Sequence, residues 1–421
     1  MTRRWRLFSP IPVCCALCCG VSSARALAQD ETVALRGARL LTITQGVIDN
    51  GVLVMSGGRI TAIGAQVSIP TGARVIDVAG GTVMPGLIDG FTNLGTADIP
   101  SLGRDDDEAT DPVTPHLRIT DALNPDNRFV PVARNSGVTA ALCAPAEGNL
   151  LSGQSALIRL AGTSPEEMVL STPVGTHVSL GEAAKTRYGQ KGRAPMTRMG
   201  AAALLRQTFV NAKGYADKLA IYERKLAAHE ADAAEREPPR PERDLKLEAL
   251  LPVVAGQKPL IVGADRFDDI YTALRITAEF DLPIILNRGA EAHRLASELV
   301  ERDIAVIWGP VGASYQELES ERGTPATPAL LSQAGVRFAF QTGSIENVTG
   351  LLHQARSAII YGLPYEEALK ALTLYPAQIF GVADRLGSLE VGKLADIVVF
   401  DGDPLEELSK VAMVFIGGKR F

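Results

Sequence analysis

From residue 259 onward the chain repeats one unit, a short and largely apolar run followed by an amphipathic stretch. The runs occupy residues 259–262, 283–286, 305–308 and 337–340. Between the first two, Asp265 opens a helix that puts Phe267, Ile270, Tyr271, Leu274 and Ala278 on one face at i, i+3, i+4 spacing. Between the second and third, residues 291–302 turn Leu295 and Leu299 inward. Strands that are apolar on both faces must be covered on both, so the repeat predicts a parallel sheet sheathed by helices. Earlier units stand at residues 82–88 and 138–143. A closed barrel and an open doubly wound sheet both satisfy this pattern.

The two ends of the chain read differently. Residues 33–80 are short, alternating and punctuated by Asp49-Asn50-Gly51 and Ser56-Gly57-Gly58, the signals of tight turns between antiparallel strands. Residues 387–421 have the same character. Together they predict one small composite β-sandwich bracketing a middle domain at 81–386. Within that domain a charged helical excursion spans about 213–245, with Tyr215, Leu219, Tyr222 and Leu226 as its stripe, and ends in Glu237-Pro238-Pro239-Arg240-Pro241.

Residues 1–28 carry a targeting signal. Arg3, Arg4 and Arg6 precede an apolar run at 7–21, and Ala26-Leu27-Ala28 offers a cleavage site before Gln29. A secretory signal peptide is expected, with export to the periplasm; retention as an N-terminal anchor is the alternative. After this segment no run reaches the roughly 18 apolar residues that span a bilayer. Cleavage would remove four of the five cysteines and leave Cys143, too few for an intrachain disulfide or a thiolate zinc site. The formal charge of −6 argues against nucleic acid as a partner.

Four segments carry a family resemblance. TVMPGLIDGFTNLG at 82–95 resembles the first barrel strand of the metal-dependent amidohydrolase superfamily, and LTLYPAQIFGVADRLGSLEVGKLADIVVFDGDPLE at 372–406 is similar to its C-terminal hallmark. GVTAALCAPAEGNLLSGQSALIRLAG at 137–162 and APMTRMGAAALLRQTF at 194–209 resemble the imidazolonepropionase-like branch. The resemblance implies a (β/α)8 TIM-like barrel with a composite sandwich, and an active site at the C-terminal ends of the barrel strands. It also implies hydrolysis of non-peptide carbon–nitrogen bonds by water on a divalent metal, usually zinc.

The residues at the implied ligand positions depart from that chemistry. Where the family pattern has two first-strand histidines, this chain has Phe91 and Asn93. The fifth-strand histidine corresponds to Gly263, the sixth-strand histidine to Arg288, and the eighth-strand aspartate to Gly343. The fourth-strand bridging lysine corresponds to His177. Imidazole and carboxylate present lone pairs to an ion, whereas phenyl and glycine do not. At about 4 Å and an effective dielectric of 20, the Arg288 charge would repel each unit of metal charge by roughly 4 kcal/mol. No cofactor is therefore expected.

Rebuilding from other residues finds little material. His116, His177, His229, His293 and His353 do not converge in sequence on one strand end. Asp106, Asp107 and Glu108 read as a solvated acidic loop, and Glu182 as a base only if a pocket adjoins it. The expected function is a non-catalytic, exported binding or scaffolding homologue; the alternative is an active hydrolase of amides or cyclic amides using a non-standard site. A mouth formed by Phe91, Asn93, Arg288 and Thr342 suits a small carboxylate-bearing ligand, since arginine grips carboxylate through two hydrogen bonds. Homo-oligomerisation or pairing with an active relative is the expected association.

Overall fold

The computed structural model describes residues 31–99, 102–231, 237–310, 319 and 321–421; the expected signal segment lies outside them. Its centre is a barrel of eight staves. Leu87–Thr92 forms strand one, Val138–Cys143 strand two, Thr176–Ser179 strand four and Leu260–Ala264 strand five. Ile284–Arg288, Val306–Trp308 and Phe338–Phe340 complete it as strands six to eight. All seven run parallel where they pair. The third stave is reversed: Ala156–Arg159 pairs antiparallel with strand two, and Leu151–Gln154 antiparallel with strand four. The largely apolar runs are therefore barrel staves, and their residues Ile261, Ile285 and Ile307 meet Phe91 and Leu142 in a core cluster.

Strand one begins later than its apolar pattern suggested. Thr82–Pro85 belongs to the sheet built from both chain ends, pairing parallel with Val33–Leu41 and antiparallel with Ile397–Phe400. Pro85 has no N–H to extend the ladder, so the chain changes sheets at Gly86. The composite sheet has eight strands and encloses Leu35, Leu53, Met55, Val83, Ile397 and Phe415. Asp396, from the C-terminal hallmark, ties this sheet to the barrel: its buried carboxylate pairs with Arg159 of the reversed stave and accepts the Gly417 N–H at 2.7 Å.

The charged helix also begins earlier than expected, running from Arg198 to Ala231. Its first half buries Leu205, Phe209 and Tyr215 against the barrel, whereas the later stripe residues Leu219, Tyr222 and Leu226 are only half-buried. Between strands five and six the helix is Phe267–Glu279, with Ile270 and Leu274 buried and Tyr271 exposed. Among the described residues no helix is long and apolar enough to cross a membrane.

No ladder among the described residues joins strand eight to strand one. Closure is made instead by close approach and isolated bonds. A Cβ placed on Gly90 would lie 2.8 Å from both the Phe340 carbonyl oxygen and Ile307 Cγ2, and the Gly343 N–H donates to the Phe91 carbonyl at 3.0 Å. Because backbone cannot yield as a side-chain tip can, Gly90→Ala should lower unfolding free energy by about 1–3 kcal/mol. Urea denaturation measures this, and an unchanged midpoint would show a wider seam.

Candidate functional site

At the C-terminal ends of the staves lies a cavity of about 490 Å³. Phe91, Asn93, Arg288 and Gly343 all line it, together with Glu147, which the sequence reading did not single out. Four of the six candidate positions thus meet in one place. His177 and Gly263 lie inward of the lining. The His177 ring sits 5.6 Å from that of Phe91, and burial pushes its pKa down to about 3, so the imidazole is neutral.

The centre of the mouth is an ion pair. Arg288 Nη1 lies 2.9 Å from Glu147 Oε2, and its Nε lies 3.2 Å from Asp265 Oδ2. Asn287 Nδ2 donates to Glu147 Oε1 at 2.8 Å, and Gln341 Nε2 supports Asn287 by donating to its Oδ1 at 2.9 Å. Burial holds the Glu147 carboxyl above its ordinary range; Arg288 and the Asn287 amide oppose that shift, and Asp265 adds to it. The pair also explains Gly263. A Cβ there would lie 1.9 Å from Glu147 Oε1, so the carboxylate occupies the space of a fifth-strand side chain.

Backbone geometry decides how Arg288 reaches the mouth. The parallel register sets Asn287 beside Gly263, and Arg288 beside Ala264. Arg288 then adopts a left-handed φ of 71°, rare for a residue with a Cβ, which ends the strand. Asp265, expected simply to open a helix, instead pairs with Arg288 and accepts the Ala290 N–H at 3.2 Å. The Arg288 guanidinium, expected to meet a ligand carboxylate, is bridged between two carboxylates of its own chain. That is a correction to the sequence reading, and its cause is a loop remote in sequence.

The first strand contributes stitching. Asp89 accepts from Thr342 N at 2.9 Å, Thr342 Oγ1 at 2.5 Å and Phe91 N at 3.3 Å, so it binds strand one to the end of strand eight. Burial nevertheless raises its pKa from 3.8 to about 6. The Asn93 amide is equally committed: Oδ1 accepts the Ile345 N–H at 2.9 Å and Nδ2 donates to Asp106 Oδ2 at 3.1 Å.

The acidic loop divides. Asp106, expected to be solvated, is buried and held by Arg104 Nε at 3.1 Å and Nη2 at 2.9 Å. Asp107 is half-buried and takes both terminal nitrogens of Arg187, at 2.6 and 2.7 Å, while Glu108 is exposed. Glu182 lies outside the mouth, paired with Lys185 and Arg198. Among the described residues lining the cavity there is no histidine.

Zinc does not fit this donor set. Phe91, Gly263 and Gly343 have no ligating atom, the Asn93 amide is spent, and a guanidinium sits at the mouth. Among the described residues no three of His, Cys, Asp and Glu gather as a metal requires.

The fold and sequence have clear relatives. The crystal structure of an amidohydrolase from Thermotoga maritima MSB8 superposes with a TM-score of 0.85 at 32% identity, covering 92% of this chain and 99% of that one. The chain belongs to the amidohydrolase family. Residues 277–421 match the Amidohydrolase family profile. Amidohydrolase tasK of Hapsidospora irregularis is 29% identical over 83% of this chain, which spans only 37% of tasK. Imidazolonepropionase of Mesorhizobium japonicum is 25% identical, over 89% of this chain and 93% of its own. The amidohydrolase resemblance and the (β/α)8 class expected from the motifs therefore stand, with one stave reversed.

Two outcomes follow from the site of this family member. Glu147→Gln leaves the Arg288 charge poorly matched in a site where the two side chains are 11% and 16% exposed, and should cost about 3 kcal/mol. Glu147→Leu combined with Arg288→Met should cost less than the two single changes summed, because neither member of the pair is then left buried alone and the loss of Asp265's partner is common to both Arg288 variants; additive denaturation energies would show that the two do not interact. For Asp89 the folded pKa lies above the unfolded one. Its stabilising contribution is full below about pH 4 and is lost as pH rises through about 6. Carboxyl carbon NMR should place its titration near 6, and a midpoint near 4 would refute the assignment.

Proposed function

We propose that this amidohydrolase-family chain is an exported, non-catalytic binding or scaffolding protein whose metal seat is closed by its own ion pair. The observation that carries the reading is the Glu147 carboxylate in the space of a Gly263 side chain, with the Arg288 guanidinium against it. A water molecule there meets neither a Lewis acid nor the eighth-strand carboxylate that the family uses to accept a proton, because Gly343 stands at that position. The cavity is retained, and an open-mouthed pocket with an apolar wall and convergent polar groups is suited to holding a small molecule. The signal-like segment at 1–28 supports export to the periplasm, where the chain would act as a homo-oligomer or beside an active relative.

A second reading is hydrolysis of an amide or cyclic amide by a non-standard site, since relatives carry hydrolase names. Glu147 is a candidate base for such a site, since burial raises its pKa and it faces the cavity. One experiment separates the two. The purified chain is incubated with zinc, freed of excess and analysed for metal, then assayed on amide and cyclic-amide panels beside Glu147→Gln. Zinc well below one ion per chain and no hydrolysis above the variant's background are expected. One tightly held zinc with turnover would overturn the proposal. Fractionation of a Gram-negative host tests export separately, and a cytoplasmic product of unchanged mass would reject that part.

A further inference from the structure

We infer that the barrel mouth selects a small ligand bearing a protonated amine on an apolar body, and disfavours a carboxylate. This deepens the binding reading and rests on it. Most of the charge at the mouth is already committed. Among the described residues, four carboxylates line the cavity, Asp106, Asp107, Glu147 and Glu346, against three guanidinia.

Each guanidinium is engaged by a carboxylate of the chain. Arg104 holds both oxygens of Asp106 at 3.1 and 2.9 Å. Arg187 holds both oxygens of Asp107 at 2.6 and 2.7 Å. Arg288 lies between Glu147 at 2.9 Å and Asp265 at 3.2 Å, so a further negative charge stands behind it. Glu346 is different. It is exposed at the rim and makes no hydrogen bond or ion pair among the described residues, and its charge reaches Arg104 only through space.

An incoming carboxylate would have to open one of these pairs and strand the carboxylate it displaces. An ammonium group meets an uncommitted carboxylate and a cavity of net negative charge, whose field raises the local concentration of cations. The rest of the lining sets the ligand's body. Phe91, Ala144, Ala146 and Pro310 provide an apolar wall, and a phenyl-sized group fits within about 490 Å³.

Isothermal titration of the full chain with three probes of one shape tests this: benzylammonium, benzyl alcohol and benzoate. Benzylammonium should bind roughly three- to five-fold more tightly than either other probe, the worth of one ion pair at an exposed rim. Glu346→Gln should erase most of the preference, while Glu407→Gln, on the exposed surface away from the cavity, should leave it intact. Benzoate binding as tightly as benzylammonium, failure of all three to bind, or an unchanged preference in Glu346→Gln would overturn the inference. Hydrolytic turnover, measured separately, would reject the non-catalytic reading and leave the ligand preference standing.

Discussion

A carboxylate and a guanidinium are locked together at the mouth of the barrel. Such a pair carries a heavy desolvation cost, and it survives only when the remaining lone pairs and protons are also satisfied. Here they are. Asn287 occupies one oxygen of Glu147, Gln341 steadies Asn287, and Asp265 takes the other side of Arg288. Strands five, six and eight, together with the loop after strand two, are thereby joined at the barrel mouth. The arrangement is a fixed internal ion pair at the position where the sequence resemblance implies a metal.

That pair makes several departures from the family pattern intelligible as one change. A histidine at position 263 would collide with Glu147, so glycine and glutamate belong together. Arginine at 288 needs a carboxylate within reach, and the same Glu147 supplies it. Asn93 and Asp89, in the segment that most resembles the family, have become fasteners for the seam between strands one and eight. Most polar groups of the mouth are turned toward one another, and the proposed binding function rests on that arrangement.

The repeat of apolar runs and amphipathic stretches made the staves legible, because a strand covered on both faces leaves no polar alternation to mislead. The family of the chain was equally legible in its turn and hallmark segments. The reversed third stave was not: Ala156–Arg159 reads like any short apolar strand, Leu151-Ser152-Gly153-Gln154 carries only one large apolar residue, and strand direction leaves no mark on composition. Nor was the division at Gly86 visible: Thr82 to Ile88 reads as one continuous run, although Pro85 marks the residue where a ladder must stop.

What the sequence determined by itself was chemical identity: which side chains can donate electron pairs to a metal, and that phenyl, amide, glycine and guanidinium stand where donors would be. Such identities are local, and no folding alters them. Only the tertiary structure decided what those residues do instead. Glu147 and Asn287 are 140 positions apart, and nothing within Ala146-Glu147-Gly148 names the cation it will meet. A charged group finds its partner through the path of the closed chain, and so the commitment of Arg288, the burial of Asp106 and the exposure of Glu346 became visible only once the barrel had brought its loops to one mouth.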